Sequence, residues 1–258
     1  LKVGVDIPTS EEVGAIIAAA KGHWRPLFIV AAFTGLRASA LRGLTWANVD
    51  LRANELHVTQ RADRFSTIGA PKSAKSQRTV PFGSFVSNTL KEWKLACPPG
   101  ELVFPNSKGN LYRLANIIQR GLIPAVTAAG LTINGKAKYS GMRLFRHFYA
   151  SWCIDRGLPP KVIQERLGHS SITMTFDRYG HLFPRVDDSQ EARAGRVGSH
   201  ECDTNATCWL KSQLNQYFEA SFKSATPHLI SSRICATGCC TVPATVSRGG
   251  THRRGTAI

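Results

Sequence analysis

Leu167-Gly-His-Ser-Ser-Ile-Thr-Met-Thr-Phe-Asp-Arg-Tyr-Gly-His-Leu-Phe-Pro184 is the stretch that decides the reading of this chain. It sets Tyr179 ten residues after His169 of a Gly168-His169 pair. About twenty residues earlier stands Arg143-Leu-Phe-Arg146-His147, at the head of a helical pattern. A lone tyrosine behind basic and imidazole side chains has the makings of a nucleophile for a phosphodiester.

The rest of the chain supports an anionic partner. There are 33 Lys+Arg against 17 Asp+Glu in 258 residues, a formal charge of +16. Of these, 25 basic and 11 acidic residues fall in 1–185, so the polyanion surface is expected there. The hydrophobic fraction of 43% is enough for a core. There is no long apolar run and no visible signal peptide, so neither a membrane span nor secretion is expected. Seven cysteines, an odd number, fit reduced thiols in a cytoplasm. Five of them, Cys202, Cys208, Cys235, Cys239 and Cys240, crowd the last sixty residues without a familiar zinc-ligand spacing.

Local signals give a mainly α fold with a small antiparallel β-sheet, in the α+β class. Thr9-Ser10-Glu11-Glu12 reads as a capping box before a helix. Helices are expected over about 26–33, 37–44, 84–96, 111–129, 143–156, 160–167 and 171–180, with Gly35 breaking the first of these. Glu55 to Gln60 alternates as a strand, and Gly69–Lys72 with Gln77–Pro81 reads as a hairpin around a polar link at 73–76. Beyond Pro184 periodicity fades, apart from an amphipathic patch at Trp209–Phe222. The expected division is a domain over 1–185 and an irregular, mobile or foreign tail over 186–258. The first residue, Leu1, is not a methionine, and a fragment is expected.

Four segments carry a resemblance: Thr34–Leu41 (TGLRASAL), Pro71–Phe82 (PKSAKSQRTVPF), Arg143–Trp152 (RLFRHFYASW) and Leu167–Phe183. In order and spacing they resemble the catalytic domain of the phage integrase, or tyrosine recombinase, family. The resemblance covers about residues 5–185. It implies a site-specific recombinase that breaks and rejoins double-stranded DNA through a covalent 3′-phosphotyrosine. It implies no metal, nucleotide or other cofactor, no small-molecule substrate, and a tetramer on paired sites from a protein that is monomeric off DNA. Tyr179 matches the nucleophile. Arg37 and Arg146 match two phosphate-holding arginines, Lys72, preferred over nearby Lys75 for its Pro-Lys-Ser context, the lysine that protonates the departing 5′-oxygen, and His169 a donor to the phosphate. His147 and His181 are read as structural or phosphate-adjacent, not catalytic, and Tyr149 as a packing residue. The family's usual N-terminal DNA-clamping domain is absent from the chain, so weak, salt-dependent binding through phosphates is expected.

Two positions depart from the pattern. Arg143 stands where the family usually has histidine, and Ala40 where it tends to have an acid. Arginine can donate to phosphate but cannot serve as a base near neutral pH. A catalytically impaired, DNA-binding remnant is therefore a rival expectation. A type IB topoisomerase-like nicking-closing enzyme is a third.

Overall fold

A computed structural model of the protein describes residues 1–70 and 77–184. Lys72, the link at 73–76, the amphipathic patch at Trp209–Phe222 and the five tail cysteines lie outside the described residues. All the described residues belong to one compact unit.

The first helix, α1 (Ser10–Ala19), starts as its sequence dictates. Thr9 Oγ1 accepts from the Glu12 amide and the Glu12 carboxylate accepts from the Thr9 amide, so two otherwise orphaned donors are satisfied. Helix α2 (Trp24–Thr34) is buried along nearly its whole length and ends at Gly35. There the backbone turns left-handed at φ 59°, and a Cβ would lie 2.4 Å from the Tyr149 ring. Only glycine fits both demands. A short α3 (Ala38–Arg42) follows, with Arg37 as its N-cap.

The expected helix over 37–44 is thus cut to five residues. The Val103 amide donates to the Leu44 carbonyl and the Trp46 amide to that of Glu101, so the chain after Arg42 is committed to pairing with 101–103. Strands β1 (Val49–Asp50), β2 (Glu55–Val58) and β5 (Arg78–Pro81) make an antiparallel sheet in the order β1-β2-β5. Between the last two, β3 (Arg61–Ala62) and β4 (Ile68–Gly69) pair with each other. The hairpin expected between 69–72 and 77–81 is corrected accordingly: Arg78–Pro81 takes Glu55–Val58 as its partner. The register is set by burial, because Leu56, Val58 and Val80 all face the core.

Helix α4 (Ser84–Ala96) falls on its expected residues. The helix expected over 111–129 runs from Leu114 to Ala128, as α5 (Leu114–Asn116), a π-helical segment (Ile117–Leu122) and α6 (Ile123–Ala128). Leu111 is instead bridged to Pro105. A tight hairpin, β6 (Thr132–Ile133) and β7 (Lys136–Ala137), turns through Asn134-Gly135.

Helix α7 (Arg143–Asp155) is the centrepiece. Leu144, Phe145 and Phe148 join the main core with α1, α2, α4 and the sheet. Tyr149, Ala150, Cys153 and Ile154 join a second cluster with α8 (Pro160–Leu167) and α9 (Ile172–Tyr179). Burying both faces of one helix fixes the two clusters against each other. Among the described residues no helix is long and apolar enough to cross a membrane.

Candidate active site

The site forms around the C-terminal end of α8. Gly168 closes that helix in a left-handed turn at φ 64°, and a Cβ there would meet the Arg78 guanidinium at 2.8 Å. Three successive carbonyls at this turn each accept from an arginine of a different element. Arg78 Nε, on β5, donates to Arg166 O at 2.8 Å. Arg146 Nη2, on α7, donates to Leu167 O at 2.6 Å, and Arg37 Nη2, before α3, to Gly168 O at 2.8 Å. Arg146 Nη1 also donates to Gly35 O at 2.8 Å, tying α7 to the turn after α2. A helix C-terminus carries partial negative charge and favours cations by about 0.3–1 kcal/mol each.

Carbonyl oxygens orient these guanidiniums without neutralising them. Burial, then Arg37, then Arg78 depress the Arg146 pKa to about 9, still well above neutral. Burial and Arg37 likewise lower Arg78, to about 10, and burial lowers Arg37. Gathered positive charge under low solvent exposure is costly alone and is offset by a bound anion. Planar guanidinium forks suit phosphate oxygens in particular.

Tyr179 ends α9 beside this cluster and is only 1% exposed. Its hydroxyl lies 2.9 Å from His147 Nδ1, and the two rings meet edge to face. The His169 ring lies nearly parallel to that of Tyr179, with centroids 6.5 Å apart. His169 is itself buried, with Nδ1 2.9 Å from Thr175 Oγ1. Burial raises the Tyr179 pKa, while Arg146 and Arg178 pull it down. Burial first, then Arg146 and Arg37, hold His169 at about 3; burial first, then Arg178, Arg146 and Arg143, hold His147 at about 4. Both imidazoles are neutral at physiological pH.

The structure therefore brings Arg37, Arg146, His169 and Tyr179 together. Lys72 lies outside the described residues. Arg143, at the first position of α7, is exposed, and its charge acts on His147. Ala40 is buried in the core. Among the described residues no group of acids, histidines and cysteines suits a metal ion. His181 bonds the Leu1 carbonyl, a tie between the chain's start and the segment after α9.

Sequence reasoning missed Arg78 as a neighbour of the site, and it read His147 as structural or phosphate-adjacent, not catalytic. Arg78 shares a strand face with buried Val80, and an arginine at an inward register position was a usable signal. His147 stands one helical turn after Arg143, on the same face of α7, so an imidazole was available one turn from the position where it was sought.

The phage integrase family model matches residues 8–185, which takes in every element of the site. The chain belongs to the phage integrase family. This family member is 30% identical over 213 residues to a XerC-like tyrosine recombinase of Caldanaerobacter subterraneus subsp. tengcongensis, covering 71% of this chain and 53% of the relative. It is 27% identical over 210 residues to the prophage integrase IntR of Escherichia coli K12, covering 74% and 51%. The chain thus spans about half the length of the curated relatives it matches. In fold, it is similar to the Tn1549 transposon integrase solved with circular intermediate DNA, at a TM-score of 0.60 and 20% identity over 75% of this chain and 67% of that one. It is also similar to XerA recombinase, at 0.56 and 20% over 75% and 66%.

Proposed function

We propose that this chain carries the catalytic domain of a site-specific recombinase, which breaks and rejoins double-stranded DNA through a phosphotyrosine at Tyr179. One observation carries the reading: Arg37 and Arg146 are fixed on adjacent carbonyls, in a cluster whose charge also reaches the Tyr179 hydroxyl. The relatives' recombinase and integrase names support it.

In this reading a scissile phosphate docks on Arg37 and Arg146, with His169 as a further donor. Tyr179 Oη attacks phosphorus and the 5′-oxygen departs with a proton from Lys72. Charge growing on the nonbridging oxygens is met by guanidiniums already in place, which is the efficient form of electrostatic catalysis. The linkage is conserved in the phosphotyrosine, so a second 5′-hydroxyl can reverse the step on another strand. Recombination then calls for four protomers on two DNA sites. Residues 1–185 are the catalytic domain of this proposal and 186–258 a separate tail. Arg143 and Ala40 favour one second reading, a remnant that binds DNA without turnover.

A nicked suicide duplex tests the proposal, because the released strand diffuses away and traps the adduct. Wild type should form a covalent protein–DNA adduct and Tyr179→Phe none, with DNA affinity within a few-fold. No wild-type adduct beside retained binding would establish the remnant. An adduct in Tyr179→Phe would displace the nucleophile assignment.

A further inference from the structure

We propose that His147 is a catalytic residue, the group that takes the phenolic proton from Tyr179 as the tyrosine–phosphorus bond forms. The inference rests on the reading of Tyr179 as nucleophile and adds the acceptor that reading lacks.

The geometry supplies the contact. His147 Nδ1 lies 2.9 Å from Tyr179 Oη, within the reach required of a general base, and the imidazole meets the phenol ring edge to face. Tyr179 is almost wholly buried, so bulk water is poorly placed to collect its proton. The neighbouring groups do not compete. Arg143, Arg146 and Arg178 are cations with no acceptor. The His169 ring lies parallel to the phenol, and its Nδ1 is engaged with Thr175 Oγ1.

The charges facing His147 give the step its control. They are Arg143 and Arg146 on its own helix, Arg178 beside Tyr179 on α9, and Asp6 from the segment before α1. Burial first, and then three cations against one acid, keep the imidazole neutral, the form that accepts a proton. They also make imidazolium unfavourable while the site is empty. A phosphodiester between Arg37 and Arg146 brings one negative charge, and the pentacoordinate transition state a second. That charge offsets the repulsion, so His147 gains basicity when DNA is in place. The balance is simple. The Tyr179 O–H bond breaks and its proton goes to Nδ1, while the oxygen's electron pair forms the O–P bond. The P–O5′ bond breaks and its electron pair leaves on the 5′-oxygen. In rejoining, imidazolium returns the proton to the departing phenolate.

The experiment compares full-length wild type, His147→Gln, His147→Ala and Tyr179→Phe on the nicked suicide duplex and on its 5′-bridging phosphorothiolate analogue, whose sulfur leaves without a proton. Single-turnover cleavage by His147→Gln should fall by about 10²-fold or more on both substrates, the scale of general-base catalysis. DNA affinity should stay within a few-fold, and added imidazole should restore part of the rate to His147→Ala. A rate within threefold of wild type would overturn the proposal. So would a deficit that vanishes with the sulfur leaving group, or faster cleavage, which would make the bond a latch on the tyrosine. An adduct in Tyr179→Phe would instead remove the underlying nucleophile assignment. A readout free of activity is ¹⁵N NMR of labelled histidines in wild type. His147 should be the Nε2–H tautomer, with an Nδ1 acceptor shift lost in Tyr179→Phe. An Nδ1–H tautomer would overturn the proposal even if the His147 variants failed to fold.

Discussion

Arg37 donates to the carbonyl of Gly168, 131 residues further along the chain. The bond places a cation from the turn after α2 on the turn after α8. It has a demanding geometry, because Gly168 is left-handed and Arg78 occupies the space where its Cβ would be. The two glycine turns, at 35 and 168, hold the site together from opposite sides of Arg146.

That makes Gly35 the sharpest stability test. Gly35→Ala must place a methyl 2.4 Å from the edge of the Tyr149 ring at a positive φ. Overpacking with backbone strain should cost about 2–4 kcal/mol. Urea unfolding should show an earlier midpoint, and DNA cleavage should fall because the Arg146 tether shifts.

Arg146→Lys keeps the charge but cannot bridge Gly35 O and Leu167 O with one planar fork. Cleavage should drop by about 10²–10³, the scale of one lost transition-state donor. Melting should report a loss of about 1–3 kcal/mol, from carbonyls left without partners.

Arg143→His replaces a cation facing His147 with a group that can carry or release a proton. The single-turnover cleavage rate should rise by about tenfold, short of the roughly 10²–10⁴ of a full general acid–base contribution because His147 already stands beside the phenol. An unchanged rate would show that arginine at 143 is no deficit.

Stability should depend on pH in a defined window. His147 and His169 are held at about 4 and about 3, below the ordinary histidine value near 6.5. The unfolded chain therefore binds more protons than the folded one as pH falls below about 6.5, and folding stability declines with it. The loss continues toward pH 4. Thermal melting between pH 7 and 4.5 should show it, and His147→Gln should give a shallower decline.

Much of the fold was legible in the sequence because its signals are local. The Thr9–Glu12 box and Gly35 as a stop act within one or two turns. The four motif segments likewise singled out Arg37, Arg146, His169 and Tyr179, which the fold brings together, without their positions in space. Strand pairing was less legible. The partner of Arg78–Pro81 depends on which face meets the core, so it was expected at 69–72 where the structure pairs it with Glu55–Val58.

The sequence by itself determined that this chain is a basic, mainly α member of its family with an arginine where histidine is usual. Residue types and spacing decide such things. Only the tertiary structure decided that Arg37, Arg78 and Arg146 rest on three consecutive carbonyls, and that His147 meets the Tyr179 hydroxyl. Those contacts span 21 to 131 residues. They exist only once burial of α7 on both faces has brought α2, α8, α9 and the sheet around it, and no local propensity encodes that closure.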